Sequence, residues 1–144
     1  MYKSSDLCLD LVPTYSDFEE YNEKSFVGYK LAHKKNLNYY SIVTGHFRYK
    51  SGKIDKSSYS ELYKKYSEYF NDRLNNRLSI FVNKEDAVKS LEEFKSLSDR
   101  DCELVLLEIK ISGELEKAKI TNKAVKDKDV IIGNIIDNVK ELKG

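Results

Sequence analysis

The chain has 144 residues, and its 25 basic and 24 acidic side chains leave a formal net charge of +1, which excludes a phosphate-tracking surface over the whole molecule. A 40% hydrophobic share over this length suffices for one domain, residues 1–144, to bury its core without metal or disulfide staples. Cys8 and Cys102 read as buried thiols, no apolar run approaches the ~18 residues of a spanning helix, and the opening Met1-Tyr2-Lys3-Ser4-Ser5-Asp6 has no signal-peptide pattern, so the expectation is a cytoplasmic protein.

In chain order, residues 1–25 are the least regular. Asp6 to Val12 alternates like a short strand closed by Pro13, which cannot donate to a ladder. Tyr15 to Lys24 is polar and acidic, with Phe18 and Tyr21 three apart, and reads as a short helix capped by Ser16. Phe26 to Ala32 is a strand candidate, and Lys34-Lys35-Asn36 a turn. Asn38 to Thr44 and His46 to Lys50 are two more strands, with Ser51-Gly52-Lys53 as the turn that follows. Short polar connections join the three into an antiparallel meander.

Between Ser58 and Asp72 the apolar positions Tyr59, Leu62, Tyr63, Tyr66, Tyr69 and Phe70 repeat with the helical period. Ser58 and Glu61 form a capping box at its start. A tyrosine stripe suits a core boundary or an interface, because each ring buries well while its hydroxyl seeks water or a partner. Asn75-Asn76-Arg77 breaks the pattern, and Leu78 to Val82 is a strand. Asn83 caps a second helix with Ala87, Val88, Leu91 and Phe94 inward. Glu103 to Ile111 is apolar on both faces and then on one, as a central strand is. Strands at Lys117 to Thr121 and Val130 to Ile136 complete the set, before a polar tail over 137–144. The expected fold is α+β: a mainly antiparallel twisted sheet of five to seven strands with two main helices packed on one face.

Little in the chain carries catalytic chemistry. Cys8, Cys102, His33 and His46 lack the two-to-four spacing of zinc ligands, and no phosphate loop or nucleophile elbow occurs, so no metal and no cofactor is expected. Glu103 and Glu108 point to opposite faces of a regular strand and form no dyad. Arg48, Ser79 and Glu108 have the chain order of the Arg–Ser–Glu layout in ADP-ribosyltransferases, which they resemble. That likeness implies an arginine on the cofactor's phosphates, a serine on the next core strand and a glutamate at the nicotinamide ribose. The Ser-Thr-Ser and Glu-x-Glu signatures of the arginine-specific branch are missing.

Gly45-His46-Phe47-Arg48-Tyr49-Lys50-Ser51-Gly52-Lys53, Ile80 to Ala87 and Leu107 to Glu114 occur in an order that resembles certain small phage and bacterial proteins over residues 26 to 136. The resemblance implies an α+β fold and no activity. The Cys-x-x-Gly-Phe-His-Phe element of that group is missing here. Richness in Lys, Asn, Ser, Tyr and Ile, as AT-rich coding produces, agrees with a phage, a virus or a low-GC bacterium as the source. The expected function is binding of a protein partner, such as a host factor, through tyrosine-rich surface. Its residues are Tyr39, Tyr40, His46, Arg48 and Tyr49 on the hairpin and Tyr59, Tyr63 and Tyr66 on the helix, since tyrosine and arginine carry interface energy. Two alternatives are a transferase or nucleotide-binding domain using Arg48, Ser79 and Glu108, and single-stranded nucleic-acid binding by Tyr40, Phe47 and Tyr49 beside lysines.

Overall fold

The computed structural model describes residues 12–42, 47–55, 72–97 and 103–142. Among them, nine strands form one antiparallel sheet: β1 (Thr14–Glu20), β2 (Ser25–Lys35), β3 (Asn38–Tyr40), β4 (Gly52–Lys53), β5 (Leu78–Phe81), β6 (Glu103–Ser112), β7 (Glu116–Thr121), β8 (Lys128–Gly133) and β9 (Ile135–Leu142). Their order in space is β1-β7-β8-β5-β2-β6-β9-β4, with β3 also against β2. The one α-helix among the described residues is α1 (Lys84–Leu97), and a 3-10 turn at Asp72–Leu74 precedes β5. The expected layer of two helices on five to seven strands is therefore corrected to a nine-stranded sheet with a single helix. The tyrosine-rich segment expected as the other helix, with Tyr59, Tyr63 and Tyr66, lies outside the described residues.

β6 is central because its sequence is apolar towards both faces. Leu104 and Leu106 enter one core with Leu31, Phe81, Ala87 and Phe94, while Leu107, Ile109 and Ile111 enter a second on the opposite face. Leu107, Ile109 and Ile111 are fully buried, and each contributes roughly 2 kcal/mol through lost apolar surface. α1 covers the first face. It starts where the Asn83 carbonyl accepts from the Asp86 and Ala87 amides, with Glu85 and Asp86 at its positive end, and it buries Ala87, Ser90 and Phe94.

Four local expectations fail for identifiable reasons. The segment expected as a helix from Tyr15 is β1. Its register shifts between Ser16 and Glu19, and Asp17 sits at φ 56°, so the extra residue of a bulge returns Tyr15 and Phe18 to the same face. Phe18 and Tyr21, whose spacing suggested the helix, enter opposite cores. The run from Val130 to Ile136 is two strands split at Asn134, whose side chain accepts the Glu114 amide. The tail from Asp137 belongs to β9, which pairs with β6 as far as Leu142. Finally, Gly52–Lys53 pairs with β9 rather than turning, while residues 47–50 lie against β3 through the bridge of Arg48 to Tyr40 and the flanking backbone hydrogen bonds.

The sheet bends in opposite senses at its two ends. Tyr15 and Ser79 are three strands and four residues apart by register, ~19 Å on a flat sheet, yet their hydroxyls are 2.7 Å apart. That end curls around the α1-side core. Tyr39 and Glu141 are separated by the same register, and the Tyr39 hydroxyl donates to Glu141 Oε1 at 2.9 Å on the other face. Gly28 sits between the two bends. A Cβ there would lie 2.5 Å from the Phe81 carbonyl oxygen, so only glycine lets β5 approach β2 at the pair Tyr29–Phe81.

Candidate functional site

The β2–β3 hairpin turns at Asn36 and Leu37, at φ 52° and 68°. Two successive positive φ values make a two-residue turn of the I′ kind, whose twist matches the flanking strands and whose second position normally holds glycine. Here it holds leucine, 83% exposed. A left-handed leucine costs about 1 kcal/mol or more, and its side chain gains no burial in return.

Residues 47–50 extend the hairpin into a three-strand ribbon. The Tyr49 amide donates to the Tyr39 carbonyl and the Ser41 amide to the Phe47 carbonyl, both at 2.8 Å. With Tyr40 opposite Arg48, this register sets Lys50 beside Asn38, itself opposite Lys35. Lys35, Arg48 and Lys50 share one face and are exposed, and among the described residues none is engaged in an ion pair. The ribbon end is therefore one protruding leucine beside three solvated cations.

The hairpin tyrosines are mostly used inside. Tyr49 is 4% exposed and meets Phe47 edge-on at 5.6 Å, both in the second core. Tyr39 spends its hydroxyl on Glu141, which also holds Lys34 Nζ at 2.8 Å. That hydrogen bond and charge raise the Lys34 ammonium above its usual value, while burial first and Glu141 second raise the Tyr39 phenol. Tyr40 is half-buried. His46, Tyr59, Tyr63 and Tyr66 lie outside the described residues.

Arg48, Ser79 and Glu108 lie on three different strands. Ser79 is 3% exposed with its hydroxyl on Tyr15, whose phenol is pushed up to about 12 by burial, the Ser79 bond opposing. Glu108 is half-buried, opposite Tyr29 and Lys140 in register. Arg48 lies three strands and four residues from it in register. His33 is buried in β2, and no cluster of three or more metal-ligating side chains occurs among the described residues.

The sequence reading missed Lys30. It shares a sheet face with Gly28 and Ala32 and lies opposite Leu107, and desolvation pushes its ammonium down to about 8. Its signal was available: a lysine interrupting a small and apolar face in Gly28-Tyr29-Lys30-Leu31-Ala32.

No family model matches the chain, and neither a curated protein nor a solved structure matches it. Among the described residues no helix is long and apolar enough to cross a membrane.

Proposed function

We propose that this chain is a protein-binding module that engages an acidic partner at the end of the β2–β3 ribbon. Leu37 is the anchor, and Lys35, Arg48 and Lys50 are the surrounding rim. The observation that carries the reading is Leu37 itself, 83% exposed at φ 68° in a turn position where glycine is preferred. A residue that is both strained and solvated is maintained against the fold's own preference, which points to use elsewhere. A protruding leucine fills a pocket on a partner, and unengaged cations steer an acidic surface towards it. Tyr39 and Tyr49 support the ribbon from within. With Tyr49 buried, the ribbon has no paired aromatic platform for bases, which favours protein over single-stranded nucleic acid.

The test is capture of partners from the cognate or host lysate, followed by titration of each captured protein against charge-reversal variants. Lys35→Glu and Lys50→Glu are expected to slow association and to flatten its salt dependence, and Leu37→Asp to weaken binding by tenfold or more. Binding indifferent to all three substitutions removes the reading.

A further inference from the structure

The turn that carries Leu37 is fastened to the body of the sheet from one side. Among the described residues, the pairing of β2 with β6 ends at Lys34 opposite Glu103, and Lys35 to Asn38 lie beyond it. Lys34 and Tyr39 form the last cross-strand pair before the one that closes the turn. Their side chains converge on a single atom of β9. Lys34 Nζ lies 2.8 Å from Glu141 Oε1, and the Tyr39 hydroxyl donates to the same oxygen at 2.9 Å. Both arms of the hairpin therefore end on one carboxylate, and all three side chains are half-buried. Side chains alternate along a strand, so Lys35, Arg48 and Lys50 lie on the other face of the ribbon from Lys34 and Tyr39. A partner seated on those cations is on the far side from Glu141.

We propose that Glu141 is the positioning residue of the recognition tip: from β9 it latches both arms of the hairpin, so that Leu37 and the three cations are presented in one orientation. This rests on the reading of Leu37 as the anchor. Released from Glu141, Lys34 and Tyr39 regain rotamer freedom, and the arms hinge where the pairing with β6 stops. The tip then samples orientations in which leucine and cations do not meet one surface together. Binding has to select the competent orientation, and apparent affinity falls with its population. Glu141 acts on recognition without touching the partner. The latch also makes the tip depend on the last residues of β9, which pair with β6 as far as Leu142.

The experiment takes one reading without a partner and one with it, on the wild-type chain, Glu141→Ala and the milder Tyr39→Phe. The first is amide hydrogen exchange over residues 35–38, with β5 and β8 as the internal control. Glu141→Ala is expected to speed exchange in the tip by about tenfold and Tyr39→Phe by less, with β5 and β8 unchanged. The second is affinity for the protein that the wild-type chain captures and Leu37→Gly does not. Glu141→Ala is expected to weaken it by roughly three- to tenfold. Tip exchange that stays unchanged, or rises equally in β5 and β8, overturns the latch and leaves the reading of Leu37 standing. Faster tip exchange with undiminished affinity also overturns the proposal. Capture that does not discriminate against Leu37→Gly removes the reading of Leu37 itself, and with it the role of the latch in recognition.

Discussion

The hydroxyls of Tyr15 and Ser79 meet at 2.7 Å although three strands and four residues separate them in the register of the sheet. This contact closes the curl of β1-β7-β8-β5 over the α1-side core. Tyr15→Phe leaves the buried Ser79 hydroxyl without its partner and costs about 1–3 kcal/mol; Ser79→Ala does the same to the phenol. The double variant loses little more than either single one, a coupling read from urea unfolding of all four proteins.

The same phenol predicts the alkaline limb of stability. Its folded-state value, about 12, lies above the ordinary value of 10. The native state therefore keeps a proton that the unfolded chain gives up first. The contribution of Tyr15 is complete below pH 10 and is lost as pH rises through 12. Tyr15→Phe is expected to remove that part of the decline, with absorbance at tyrosinate wavelengths tracking it.

Lys30 has the opposite sign. Its native value of about 8 lies below the ordinary 10.5, so the unfolded chain binds the proton more tightly and the charge opposes folding at neutral pH. Lys30→Met is expected to stabilise the protein by about 1–2 kcal/mol at pH 7. The advantage shrinks as pH climbs from 8 to 10.5, because wild-type Lys30 then folds neutral at diminishing cost. Denaturant midpoints of both proteins across that range check the sign as well as the size.

How much of this was legible beforehand depends on how local each signal is. β5, β6 and α1 follow from runs whose periodicity is undisturbed, with Asn83 at the helix start and the apolar alternation of β6. β1 was hidden because Phe18 and Tyr21, three apart, have helical spacing although they enter opposite cores. β8 and β9 were merged because only Gly133 and Asn134 separate the isoleucines on either side. The hairpin was read from its polar turn, but its charged residues suggested Lys34-Lys35-Asn36, whereas the turn is at Asn36 and Leu37. Nothing in composition marks a leucine for the left-handed region. Which tyrosines are spent inside, as Tyr49 is, follows from the bend of the sheet, which no local window carries.

Glu116 on β7 joins two arginines. Arg73 Nη1 and Arg77 Nη1 reach its two oxygens at 3.0 and 2.5 Å, and Arg73 also lies 4.6 Å above the Phe18 ring. The Arg77 side chain is only 14% exposed, so Glu116→Gln leaves a poorly solvated cation and costs about 1–2 kcal/mol. The gap between variant and wild type narrows as salt is added, because the lost interaction is electrostatic. A gap that is independent of salt assigns the loss to packing instead.

Gly28→Ala is expected to be the most damaging single-carbon change in the sheet. Its Cβ meets the Phe81 carbonyl oxygen at 2.5 Å and Ile80 side-chain carbons at 2.9 Å, and backbone cannot yield as a flexible side chain does. A loss of about 3 kcal/mol or more is expected, seen as a lower unfolding midpoint.

Whether the turn leucine serves recognition is decided on Leu37→Gly, read twice: by urea unfolding and by affinity for the captured partner. Glycine relieves the left-handed strain at φ 68° and removes the exposed side chain in one step. The account predicts a variant more stable by about 1 kcal/mol and weaker in binding by at least tenfold. A variant that binds as wild type does, or that is less stable than wild type, contradicts a leucine kept at the turn for recognition.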